Sequence, residues 1–245
     1  MKEKTIYPCI RLGEGDLNPR VITCGDLVRA EAISRLLSNA VCVNKCREFH
    51  SYSGYWKDVP VSIVSHGVGC GGASIAFESL MKIGTKAIIR AGTCGGMQEG
   101  IDAGKIVIAT AACRDDGVTD RMLPPGYPAV CDAEIVCALE DVAREKQEDY
   151  EKGIILTTAL FYPSLMGSSV KLYAKAGVKA LENEAAGLLV LASIYGVKAG
   201  VILAADSIAF ELIDPADYHP SQESVKNAIG KQIEIALDAL IRIKV

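Results

Sequence analysis

The 245-residue sequence has only three histidines, one tryptophan and four phenylalanines. His50, His66 and His219 form no HExxH motif and no Cys/His group at zinc spacing, so a tightly bound metal is not expected. The nine cysteines include no CxxC, are odd in number and stop at Cys137, which is not the layout of a disulfide framework. The first residues, MKEKTIYPC, lack the apolar stretch of a signal peptide, and a reducing, cytoplasmic location is expected. No basic run occurs, and 26 Lys plus Arg against 30 Asp plus Glu leave a net charge of −4, which argues against nucleic acid as a partner. Uncharged apolar stretches fall short of the ~18 residues that a membrane span needs. No fixed-period repeat or low-complexity tract appears.

Half of the residues are hydrophobic and 23% are charged, enough to bury a sizeable core. Short β-branched runs at 61–66, 86–92, 105–110, 153–158 and 197–206 read as buried strands. Helical spacing fills the intervals at Asp26–Leu37, Gly72–Ile83, Asp132–Glu145, Glu184–Tyr195 and Ser221–Ile243. Alternation of this kind predicts one α/β domain over residues 1–245, a central mixed β-sheet flanked by helices. An antiparallel excursion is expected at Val41–Phe49 and Tyr55–Val59, with Ser53 and Gly54 in its turn.

Ligands of open α/β sheets bind beyond the carboxyl ends of strands, so the strand-to-loop junctions carry the functional candidates. In VITCGDLVRA, Gly25 follows a strand, Asp26 can cap a helix, and Arg29 in its first turn offers a cation to an anion; taken alone, an ordinary strand-turn-helix is the better reading of this segment. In SHGVGCGG, Gly67, Gly69 and Gly72 satisfy G-x-G-x-x-G, yet the next strand ends in Arg90 where a dinucleotide fold wants an acid. His66 there reads as a hydrogen-bonded structural residue. Arg90 ends an apolar strand, and a buried guanidinium needs either a structural carboxylate or a bound anion such as phosphate, which Thr93 and the amides near Gly92, Gly95 and Gly96 would also face. Cys94 as a nucleophile lacks a base placed by the sequence. Of Glu182 and Glu184, helix capping explains one and leaves the other surplus. Asp206 ends another apolar strand, as a loop cap or as a carboxyl kept for chemistry.

GDLVRA (25–30), CREF (46–49), SHGVG (65–69), RAGTCGG (90–96), LFYP (160–163), ENEAAGL (182–188) and AAD (204–206) occur in an order and spacing that resembles the hexameric nucleoside phosphorylase family. That family holds purine nucleoside and uridine phosphorylases, and PCIRLGEGDLNP and CREFHSY are most similar to its apicomplexan branch. The resemblance implies a three-layer sandwich and reversible phosphorolysis of purine (2′-deoxy)ribonucleosides to free base and (deoxy)ribose 1-phosphate. It implies inorganic phosphate as co-substrate and no other cofactor. It assigns phosphate to Gly25, Arg29, Arg90 and Thr93, with Arg47 reaching in from a neighbouring subunit, and the ribose to Glu184 together with Glu182, Asn183 and Cys9. The base falls to Cys94, Gly95 and Phe161, and Asp206 becomes the acid facing the purine. Self-association as a homohexamer, a trimer of dimers, follows from Arg47 and the N-terminal segment completing the neighbour's site.

Three positions depart from the family pattern: Leu27 replaces Pro, Asn183 replaces Met, and Cys9, or Tyr7 in a shifted alignment, replaces the His that reaches the sugar 5′-hydroxyl. The Gln and Arg with which uridine phosphorylases read uracil correspond to Leu165 and Gly167, which favours a purine. The alternatives are a uridine phosphorylase, a phosphorylase or nucleosidase acting on methylthioadenosine, and a catalytically silent nucleoside-binding member.

Overall fold

The computed structural model describes residues 4–162, 164–209 and 222–245. In chain order the elements are β1 (Ile6–Tyr7), β2 (Leu12–Gly13), β3 (Arg20–Cys24), α1 (Leu27–Ser34), β4 (Ser38–Cys46), β5 (Phe49–Trp56), β6 (Val59–Ser65), α2 (Cys70–Lys82) and β7 (Ala87–Gly96). They continue with β8 (Ile106–Asp115), β9 (Ala129–Val130), α3 (Ala133–Glu145), β10 (Tyr150–Thr158), α4 (Val170–Lys175), β11 (Ala180–Glu182), α5 (Ala185–Tyr195), β12 (Lys198–Ile208) and α6 (Glu223–Leu240).

Each apolar run read as a strand lies in the sheet, because a strand covered on both faces needs no polar alternation. Asp26 and Asp132 start α1 and α3 as expected, their carboxylates accepting from the amides of Val28 and Glu134 at 2.7 and 2.9 Å. Ser221, where the last helix was expected to begin, lies outside the described residues, as do His219 and Pro163. The short β11 and α4 carry too few residues for a periodic signal.

The strand order is β11-β10-β8-β12-β7-β3-β6-β5-β4, with β9 on β8. It is a mixed sheet: β3 runs parallel to β6 and β7, β12 parallel to β7, and β12 antiparallel to β8. Helices α2 and α5 cover one face, through Phe77, Leu80, Leu188 and Leu189. α1, α3 and α6 cover the other, through Ile33, Leu139, Ile235 and Leu237. The architecture is a three-layer sandwich.

The excursion at the sheet edge exists, with its turns elsewhere. Ser53 and Gly54 lie inside β5, and the chain reverses at Arg47–Glu48 and Lys57–Asp58, where Arg47, Lys57 and Asp58 have φ of 54°, 47° and 65°. Gly54 is needed for closeness instead of turning: a Cβ there would sit 2.9 Å from the Cβ of Leu37 and 3.0 Å from the carbonyl oxygen of Ser38.

β7 changes neighbours along its length. Ala87–Arg90 pair with β3, whereas Gly95 and Gly96 pair antiparallel with Leu181 and Ala180 of β11. The second pairing closes β7, β12, β8, β10 and β11 into a ring. Between Arg90 and Gly95 the strand therefore has no partner on that side among the described residues, and a crevice opens at the carboxyl ends of β3, β6, β7 and β12.

Candidate active site

Arg90 stands at this opening and is 3% exposed. Its Nη2 donates to Glu184 Oε2 and lies 3.0 Å from Glu182 Oε2. Burial works against its charge, but Glu184 and then Glu182 outweigh burial and hold the guanidinium pKa above its ordinary value. Nε and Nη1 of Arg90 are buried and have no hydrogen-bond partner among the described residues. Room for this side chain comes from Gly92, where a Cβ would lie 1.6 Å from Nη1.

The two glutamates divide the work that the sequence left between them. Glu184 stands at the N-cap position of α5 without a side-chain cap bond, and Glu182 does the capping work: its Oε2 accepts from the amides of Glu184 and Ala185 at 2.8 and 2.9 Å, and its Oε1 accepts from the Thr157 hydroxyl. Thr157 in turn accepts from the Ala186 amide at 2.9 Å, a role the sequence did not signal. Burial pushes the Glu182 carboxyl pKa up, against the pull of Arg90. Glu184 is the surplus acid. Burial opposes its charge too, yet Arg90 beside it wins, and the Gly69 amide at 2.6 Å adds to the lowering.

That Gly69 contact also decides the glycine-rich loop. Gly69 caps α2 with φ of 86°, and its N–H, which a dinucleotide phosphate would claim, is held by a carboxylate of the protein. His66 is fully buried, its ring edge-on to Phe77 at 5.0 Å and its Nδ1 2.8 Å from the carbonyl oxygen of Gly67. Burial, followed by the charge of Arg90, pushes its pKa down to about 3, so the ring is neutral at pH 7. Cys94 is 3% exposed and burial raises its thiol well above the usual range, the opposite of what a nucleophile needs.

The crevice encloses about 230 Å³. Gly25, Arg29, Arg90, Thr93, Cys94, Gly95, Phe161, Glu182, Asn183, Glu184 and Asp206 all line it. With Gly67 and Val68, six separate stretches of the chain meet there. Asp206 is 5% exposed, accepts a hydrogen bond from the Ser207 hydroxyl at 2.8 Å, and sits where the pairing of β12 with β7 shifts register. Asn183 Nδ2 donates to the Thr158 carbonyl at 2.7 Å. The ring of Phe161 stands edge-on to Tyr162 at the mouth. Leu160, Leu181 and Val68 supply apolar wall that sequence reasoning did not single out, since nothing distinguishes them from core residues.

Arg47 and Cys9 are not among the lining residues of this cavity. Arg47 is exposed at the β4–β5 turn, and Cys9 is half-buried against the core. No group of three or more His, Cys, Asp or Glu able to hold a metal occurs among the described residues. No helix of the described residues is long and apolar enough to cross a membrane.

Comparison with known proteins places this arrangement. The model of the phosphorylase superfamily matches residues 19–242. The purine nucleoside phosphorylase of Plasmodium vivax is 34% identical over 236 residues, 96% of this chain and 95% of that protein. The uridine phosphorylase of Thermococcus kodakarensis is 36% identical over 202 residues, 78% of this chain and 73% of its own. Purine nucleoside phosphorylase from Toxoplasma gondii, solved in complex with immucillin-H, superposes with a TM-score of 0.93 at 31% identity, covering 99% of this chain and 98% of the other.

Proposed function

The chain belongs to the phosphorylase superfamily, and from that membership we propose that it is a purine nucleoside phosphorylase, converting a purine (2′-deoxy)ribonucleoside and inorganic phosphate reversibly to free base and (deoxy)ribose 1-phosphate. The observation that carries the reading is Arg90, a buried guanidinium neutralised on one edge by Glu184 and Glu182, with Nε and Nη1 unpartnered among the described residues. Burying such donors is costly unless a ligand takes them up. Phosphate has acceptor oxygens for Arg90, Arg29, Thr93 and the Gly25 amide, all of which border the same 230 Å³.

The rest of the site follows from where the sugar must then lie. Glu184, ionised and fixed by Gly69 and Arg90, keeps lone pairs to accept the ribose hydroxyls, with Asn183 and the Glu182 cap beside it. Cys94, Gly95 and Phe161 border the base, and Asp206 faces purine N7. In the reaction a phosphate oxygen bonds to C1′ as the C1′–N9 bond breaks, and that bond's electron pair stays on the base. Anionic phosphate below the sugar stabilises the oxocarbenium character there, and a proton from Asp206 to N7 neutralises the departing purine. No metal or organic cofactor is required for these steps.

Arg47 and the segment around Cys9 complete the site of a neighbouring subunit in a homohexamer built as a trimer of dimers, which their position outside the cavity of their own chain supports. Nine unpaired cysteines suit a reducing, cytoplasmic setting. A uridine phosphorylase is the second reading, supported by the Thermococcus kodakarensis relative; Leu165 and Gly167 offer no side-chain donor for uracil, which favours the purine.

Base release from inosine, guanosine, adenosine, uridine and methylthioadenosine, each with and without phosphate, tests the reading. Phosphate-dependent release from inosine or guanosine is expected. Equal release without phosphate means a hydrolase, release from uridine alone means the pyrimidine enzyme, and binding without turnover means a silent member. Sedimentation of a fully active monomer near 26.0 kDa would refute the shared site.

A further inference from the structure

Gln232 lies on α6, outside the cavity, and is completely buried. Its Nε2 donates to two backbone carbonyls, that of Gly92 on β7 at 2.6 Å and that of Ile202 on β12 at 2.7 Å. Carbonyls can only accept, so these contacts fix which end of the amide faces the strands. Its Oε1 has no hydrogen-bond partner among the described residues. The carbonyl oxygen of this amide is thus buried without a partner among the described residues, a cost set against the two strand carbonyls that its nitrogen holds.

The two strands it joins carry opposite halves of the reaction. β7 bears Arg90 and Thr93, and β12 bears Asp206 at the register shift between Ala205 and Ser207. Gly92 is also the backbone against which the Arg90 guanidinium packs. In a trans peptide the N–H of Thr93 points opposite to the C=O of Gly92, so holding that carbonyl from below sets the direction of the next amide. We propose that Gln232 is a positioning residue for phosphorolysis, fixing the Gly92–Thr93 peptide and its spacing from β12 so that Arg90 and Thr93 meet phosphate in register with Asp206. The inference rests on the phosphorylase reading of the site.

The test is steady-state kinetics of the full-length protein and of Gln232→Met, which keeps side-chain length and removes the donor, with inosine and phosphate each varied. The phosphate KM is expected to rise about 5- to 30-fold, the consequence of losing one or two neutral hydrogen bonds, while the inosine KM stays within about twofold of its original value. Gln232→Asn, too short to reach both carbonyls, is expected to shift the phosphate KM in the same direction, and it replaces the Met variant should that one not fold. A lower Tm with both KM values unchanged would make Gln232 purely structural and overturn the proposal. An equal rise in both KM values, or failure of both variants to fold, overturns it too. Absence of phosphate-dependent base release in the unmodified protein would overturn the functional reading and this inference together, whereas phosphate-dependent release with unchanged variants overturns this inference alone.

Discussion

Replacing Arg90 by Met removes the cation that two buried carboxylates share. Glu182 and Glu184, 4% and 5% exposed, then face each other with hydroxyl and amide donors alone among the described residues. Breaking a buried ion pair by deleting one partner costs about 3–5 kcal/mol. In a protein of this size about 1 kcal/mol shifts Tm by about 2–4 °C, so a fall of about 6–20 °C at pH 7 is expected. The pH dependence supplies the sharper check. With Arg90 present, Glu184 is held below its unfolded pKa, and its stabilisation is present at pH 7 and lost as pH falls through the folded value. Without Arg90, burial and mutual repulsion raise both carboxyls above their unfolded values; the folded state then binds more protons than the unfolded one, and stability falls as pH rises through the raised pKa. The deficit relative to the unmodified protein is therefore smaller at pH 5 than at pH 7. Differential scanning calorimetry at both pH values and one protein concentration measures it. Adding Glu184→Gln to the variant should recover part of the loss. A fall of less than about 3 °C at pH 7, or the same deficit at both pH values, would show that Arg90 does not hold this pair and would refute the reasoning.

Other substitutions probe separate parts of the site. Asp206→Asn should lower inosine turnover by roughly 10²–10⁴-fold, as for loss of a general acid, yet spare 7-methylguanosine, whose base already carries positive charge; equal losses on both substrates would reduce Asp206 to a positioning role. Gly92→Ala puts a methyl 1.6 Å from Arg90 Nη1, so the guanidinium must move and the phosphate KM should rise about 10- to 100-fold. An unchanged phosphate KM would separate Arg90 from phosphate. Thr157→Val leaves the Ala186 amide and one Glu182 oxygen without their partner and should cost about 1–3 kcal/mol in urea unfolding; an unaltered midpoint would mean that the α5 cap does not depend on Thr157.

Apolar runs and helical spacing determined the layers of this protein, because burial on two faces leaves a local signature that chain neighbours share. Arg90 and Asp206 were legible for a related reason: an ionisable side chain at the end of an apolar strand is costly unless something uses it, and that anomaly is written in the sequence. The turns at Arg47–Glu48 and Lys57–Asp58 were not legible, since residues other than glycine adopt positive φ there, while Gly54 marks a close approach of Leu37 that only packing creates. Nor could sequence say which glutamate caps α5. That was decided when Thr157, 25 residues before Glu182, came alongside it, and when Gly69, 115 residues before Glu184, offered an amide to the other acid. Hydrogen bonds across such separations depend on which strands pair, and the switch of β7 from β3 to β11 arises only when the sheet closes on itself. The sequence set which residues had to find partners; the tertiary fold chose the partners, because directional contacts between distant segments exist only once the chain has brought them within reach.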